Sequence, residues 1–130
     1  MTISATRAHL PEGQIFLRQQ QGRTIVLVPA GHLEGHHEPE IVHETSELLK
    51  YVLTSSEPTN IVVDLGQSRF LGTAMLGAIV KLWKRVSERG GKLVLCEVAN
   101  TIEDVLRCTK LHTVWPIYAS RHDALLAVGA

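Results

Sequence analysis

Four of the seven histidines, His32, His36, His37 and His43, crowd one stretch of the chain, and His112 stands apart. A metal centre needs ligands that converge at fixed helical or hairpin spacing. His32 and His36 have the i, i+4 spacing, but it aligns them only on a helix, and Gly31, Gly35 and Pro39 oppose a helix there. Adjacent His36 and His37 point apart. The stretch "GHLEGHHEPE" therefore reads as a polar loop, with no metal and no cofactor assigned. A histidine-dependent metal or ligand site on it is kept as the third of three functional readings.

Other catalytic arrangements find little support. No Gly-x-Ser-x-Gly elbow occurs, and the serines fall in helix or turn contexts. "AGHLEG" lacks the phosphate-loop lysine, and "RGGK" follows a helix instead of opening one. The chain is read as no enzyme. Asp64 in "VVDLG" reads as an acid near a strand end, bonded to amides of a neighbouring loop, because a buried unpaired carboxylate is costly.

One reactive group remains, the hydroxyl of Thr73 in "FLGTAMLGAI". It falls where a strand hands over to a helix, with Gly72 permitting a tight turn. From position alone, Thr73 is expected to cap the amides of Met75 or Leu76. A hydroxyl at a helix N-terminus also lies in an anion site, where the dipole and free amides would stabilise a phosphate.

The elements that position these residues follow from periodicity. Residues 1–13 read as a flexible lead-in and 14–130 as one domain. "IFLR" and Thr24 to Val28 predict a hairpin. Pro39 opens a helix carrying Ile41, Ser46, Leu48, Leu49 and Val52. "IVVDL" is a continuous apolar run, as expected of a central parallel strand. Leu76, Ile79, Val80, Trp83 and Val86 then recur at helical spacing, with Lys81, Lys84, Arg85 and Glu88 opposite and Gly90 as terminator. "KLVLCEV" is a strand, and "NTIEDVLRCTKL" a helix capped by Asn100 or Thr101. "TVWPIY" is a short strand, and a last helix starts at Ser120 with Asp123 three residues on. This alternation predicts an α/β domain with a mixed, mostly parallel sheet of four to five strands, an N-terminal β-hairpin and about four helices.

Composition bounds the partners. Thirteen acidic and thirteen basic residues cancel, and no block of like charge appears, so neither nucleic acid nor an anionic membrane is expected. Cys96 and Cys108 both read as small buried hydrophobes in a reducing cytosol, and Trp83 and Trp115 as core. No run is apolar enough for a signal peptide or a membrane span, and the protein reads as soluble and cytoplasmic.

The string "IVVDLGQSRFLGTAMLGAIVKLWKRVSERGGKLVLCEV" resembles the core of STAS domains, the fold of bacterial anti-sigma factor antagonists. The family pattern is an apolar strand ending in Asp-Leu, an apolar pair, Asp-Ser-Ser/Thr-Gly-Leu-Gly, a helix, and "RGGKL". "VPAGHLEG" and "VLRCTKLHTVWPIYASRHDAL" are similar to its second-strand turn and its closing elements. The resemblance implies a protein partner, an anti-sigma factor that is also a serine kinase, and partner-switching control of transcription. It places Thr73 at the phosphoacceptor position and Gly72 where the family has Asp. Ala74 replaces the second hydroxyl and Met75 the glycine, while Leu76 and Gly77 match. The implied partner surface combines His32, Leu33 and Glu34 with Gly72, Thr73, Ala74, Met75 and Leu76. A second reading is an interaction module insensitive to phosphate, such as the accessory subunit of a lipid-transport ABC complex or a scaffold. The oligomeric state stays open, a dimer included.

Overall fold

The computed structural model describes residues 15–31 and 37–129. Five strands form one sheet in the order β1-β2-β3-β4-β5. Strand β1 (Phe16–Gln21) pairs antiparallel with β2 (Thr24–Pro29), Gln21 opposite Thr24, so Gly22 and Arg23 make the turn. Gly22 takes φ +57, the left-handed conformation a two-residue hairpin requires. Strands β3 (Asn60–Asp64), β4 (Leu93–Cys96) and β5 (Ile117–Tyr118) then add in parallel. Every residue of β3 is buried, as its unbroken apolar run predicts for a central strand.

Alternation along the strands divides the core in two. Ile25, Leu27, Ile61, Val63, Leu93 and Leu95 face α1 (Glu38–Thr54), α2 (Thr73–Glu88) and α3 (Asn100–Cys108). Val26, Val28, Val62, Val94 and Cys96 face α4 (Arg121–Val128), which among the described residues is the helix that covers the second side, with Ala124 and Val128. Consecutive parallel strands joined by helices on one face are what right-handed crossovers produce.

Helix α1 begins with Pro39 in its first turn and buries Ile41, Thr45, Leu48 and Val52. Ser46, expected among the inward residues, is exposed, and Thr45 takes that place by bonding its hydroxyl to the Ile41 carbonyl at 2.6 Å. On α2 the stripe is rotated from the expected one. Met75, Ala78, Ile79, Leu82 and Val86 are buried, whereas Leu76, Val80 and Trp83 are half-buried on its shoulder. Trp115 is fully enclosed.

The ends of the helices follow the expected signals in part. Gly90 adopts φ +84 after α2, and the Gly91 amide reaches back to the Val86 carbonyl at 2.7 Å, closing the last turn. Ser120 caps α4 by accepting the Asp123 amide at 3.1 Å. Helix α3 differs. Ala99 occupies its N-cap and neither Asn100 nor Thr101 caps it, because Thr101 spends its hydroxyl on the Arg69 carbonyl at 2.8 Å. It also stops at Cys108. Lys110 turns to φ +66, and Leu111 lies in a separate 3-10 turn, Leu111–Thr113. Cys108 is exposed, in contrast to the expected burial, while Cys96 is buried.

Candidate functional site

The loop from β3 to α2 is fastened at four points. Asp64 accepts the Gly66 amide on Oδ1 at 2.8 Å, and the Ser68 amide donates to the Leu65 carbonyl at 3.0 Å. Gly31, at the end of β2, packs so closely that a Cβ there would lie 2.4 Å from the Gln67 carbonyl oxygen. Thr101 holds the Arg69 carbonyl from the other side. The residues after β2 and the start of α3 thus converge on the loop that follows β3, at the carboxyl edge of the parallel strands.

The loop delivers Phe70 and Thr73 to the surface. Phe70 is 65% exposed, and its ring lies 3.9 Å from where a Cβ on Gly72 would stand. Gly72 is the N-cap, in extended conformation at φ −78 and ψ 166, and its carbonyl accepts the Leu76 amide at 2.9 Å. The expected capping by Thr73 is therefore corrected. Thr73 is the first helical residue, one position too late for its hydroxyl to fold back on the first turn. Thr73 is exposed, and among the described residues its hydroxyl has no hydrogen-bond partner. The first turn of α2 carries no acid and no side-chain cap, so among the described residues no side chain answers its dipole and free amides.

Gly72, Ala74 and Leu76 are half-buried beside Thr73. Met75 is 6% exposed and belongs to the core, so it supports the junction from beneath. His32, Leu33 and Glu34 lie outside the described residues, as do His36 and the segment 1–14. No group of three or more metal-ligating side chains converges among the described residues.

Within the segment that forms the junction and α2, charge is one-sided. From Leu65 to Ser87 the sequence holds Arg69, Lys81, Lys84 and Arg85 and no carboxylate. Arg85 pairs with Glu88 at 3.4 Å, but Lys81 and Lys84 make no ion pair among the described residues. Helix α1, by contrast, carries Glu38, Glu40, Glu44 and Glu47.

Asp64 behaves as the sequence suggests, with one addition. Its Oδ1 binds loop backbone, and its Oδ2 receives Arg121 Nε at 2.9 Å from the start of α4. The Arg121 amide donates to Glu97 at 3.2 Å, and its guanidinium to Gln19 at 3.3 Å. Beneath this cluster burial pushes the Cys96 thiol up to about 12, with the Asp64 and Glu97 charges adding to the shift. A cleft of about 640 Å³ opens nearby, walled by Ser68, Glu97, Glu103, Arg107, His112 and Tyr118 among others. Thr73 is not in its wall.

Arg121 and Phe70 were not legible as site residues. Nothing local links Arg121 to an acid 57 positions away. Phe70 did carry a signal, a bulky aromatic in a polar bridge immediately before the reactive hydroxyl.

Comparison with known proteins decides the family. A model of the STAS domain matches residues 16–124. The chain is a member of the STAS domain family. Among curated relatives of this STAS protein is the anti-sigma F factor antagonist of Paenibacillus polymyxa, 26% identical over 90 residues, 66% of this chain and 77% of that one. An anti-sigma-factor antagonist (STAS) domain protein from Planctomyces limnophilus superposes with a TM-score of 0.74 at 25% identity. That match covers 88% of this chain and 98% of the other. The Bacillus cell fate determinant SpoIIAA in its phosphorylated form shares the fold, with a TM-score of 0.69 at 16% identity. It covers 87% of this chain and 98% of that one. No helix among the described residues is long and apolar enough to cross a membrane.

Proposed function

We propose that this STAS protein is an anti-sigma factor antagonist that binds a kinase-type anti-sigma factor in the cytoplasm and is released by phosphorylation of Thr73. One observation carries the reading: an exposed hydroxyl with no partner among the described residues, standing at the first position of a 16-residue helix. A kinase can reach such a group without unfolding anything. The phosphate would gain about two negative charges and three acceptor oxygens. It would sit on the free amides of α2, so the fold tolerates it and the effect falls on the partner. The curated relative's name supports the partner class, and the phosphorylated neighbour supports the switch. Gly31 against Gln67 supports a shared surface, since it holds the residue that precedes His32, Leu33 and Glu34 against the stretch leading to Thr73. In this reading the protein has no catalytic activity of its own; the transferred phosphoryl group comes from ATP bound to the partner.

Incubation with the anti-sigma kinase, Mg²⁺ and ATP, followed by peptide mass spectrometry, tests the switch. Phosphate on Thr73, abolished in Thr73→Val, is the expected result, and Thr73→Glu should bind the partner at least tenfold more weakly. Normal binding with no phosphate on Thr73 favours the second reading, a phosphate-insensitive interaction module such as a transporter's accessory subunit. Gly72 in the acid's place is the observation on that side.

A further inference from the structure

We propose that the docking face of this STAS protein is built from the Phe70 ring, the bare backbone at Gly77 and the Lys81 and Lys84 ammonium groups, and that it receives an acidic surface with an apolar pocket on the anti-sigma factor. The inference rests on the partner class proposed above and names what the partner must present.

Three independent features converge on it. Phe70 is the most exposed large apolar side chain among the described residues, at 65%, and it lies against Gly72 beside Thr73. An aromatic ring held out in water next to a functional hydroxyl is suited to filling a partner's pocket. Second, Thr73, Gly77, Val80 and Lys84 follow one another at spacings of four, three and four, so they form one line along α2. Gly77 is exposed in the middle of this helix, and a Cβ there would meet nothing within 4 Å. No packing among the described residues requires a glycine at this position, although glycine weakens a helix interior. Its consequence is external: the helix backbone is uncovered at Gly77, one turn on from Thr73, and another chain can approach it closely there. Third, the segment from Leu65 to Ser87 that builds this face holds cations and no carboxylate, and Lys81 and Lys84 are unpaired among the described residues. Such a surface is complementary to carboxylates. A phosphate on Thr73 would add negative charge at one end of this face against an acidic partner, which gives release a cause that does not need an acid at position 72.

Binding of the purified, fluorescently labelled kinase-type anti-sigma factor is measured by anisotropy against wild type, Phe70→Ala, Gly77→Ala and Lys81→Glu/Lys84→Glu. Phe70→Ala should weaken binding about 10- to 30-fold with an unchanged thermal midpoint, because the ring is largely outside the fold. Gly77→Ala should raise the midpoint by about 3–5 °C yet weaken binding about tenfold, opposite signs that a folding defect cannot produce. Wild-type affinity should fall about tenfold between 50 and 500 mM NaCl, and the double charge reversal should remove that dependence. Binding that ignores Phe70→Ala and Gly77→Ala overturns the docking face while leaving the partner class intact. Loss of binding in these variants without salt dependence overturns the acidic partner surface. No binding by wild type overturns the partner class and this face together.

Discussion

Arg121 is bonded through Nε to Oδ2 of Asp64, and the same carboxylate holds the Gly66 amide on its other oxygen. One buried side chain therefore ties α4, on the second face of the sheet, to the loop that leads into α2. Asp64→Asn should keep the loop contact but leave the guanidinium facing an amide in place of a carboxylate. A loss of about 1–3 kcal/mol in urea unfolding is expected, less than for a wholly buried pair because Arg121 is partly exposed. Hydrogen exchange should rise in α4 before it rises in α1. Equal acceleration in both helices would count against the tie.

Gly72 accommodates an acid. Its φ and ψ suit any L-residue, and a new Cβ meets only the Phe70 ring at 3.9 Å. Gly72→Asp should place a carboxylate on the uncapped amides of α2 and raise stability by a few tenths of a kcal/mol. The comparison is equilibrium unfolding at pH 7 against pH 3, where protonation should shrink the gain.

Gly91 is the opposite case. A Cβ there would lie 2.0 Å from the Thr59 carbonyl oxygen, which is backbone and cannot swing away. Gly91→Ala should cost about 3 kcal/mol, at the upper end of overpacking penalties. Gly22→Ala meets no atom within 4 Å and suffers only from its positive φ. It should cost less, about 1 kcal/mol. Equal midpoints in denaturant for the two variants would contradict the steric account.

The two thiols should separate cleanly. Exposed Cys108 should react with a disulfide reagent in the native protein, and Cys96 only after unfolding. Cys96 is raised from 9.0 to about 12 on folding, so above pH 9 the unfolded chain loses this proton first. Stability then falls as pH rises from 9 towards 12, by at most about 1.4 kcal/mol per pH unit. Below pH 9 the group contributes no slope. Cys96→Ala should show a shallower decline than wild type over that window.

The fold was legible where burial and periodicity coincide. The run at Ile61 to Leu65 fitted a central strand better than a half-exposed one, and Gly90 and Ser120 marked their helix ends by chemistry that depends on nothing distant. What could not be read depended on long-range partners. Thr101 was a plausible cap until the Arg69 carbonyl, 32 positions away, is seen to take its hydroxyl. The α2 stripe was offset by one residue, because period alone does not say which shoulder a neighbouring helix will cover. At the site, Thr73 was identified from its position, yet its expected role as a cap gave way to Gly72. A threonine and a glycine one position apart carry the same local signal, and only backbone angles separate them.

The sheet's edges bear on how the molecule behaves in a crowded cell. Strand β1 closes one side with Arg18, Gln19, Gln20 and Gln21, all exposed, and β5 closes the other with two residues. A polar border and a truncated one give incoming strands little to extend, so fibrous assembly through the sheet is discouraged. Contacts made by this chain are thereby steered towards its helical surface.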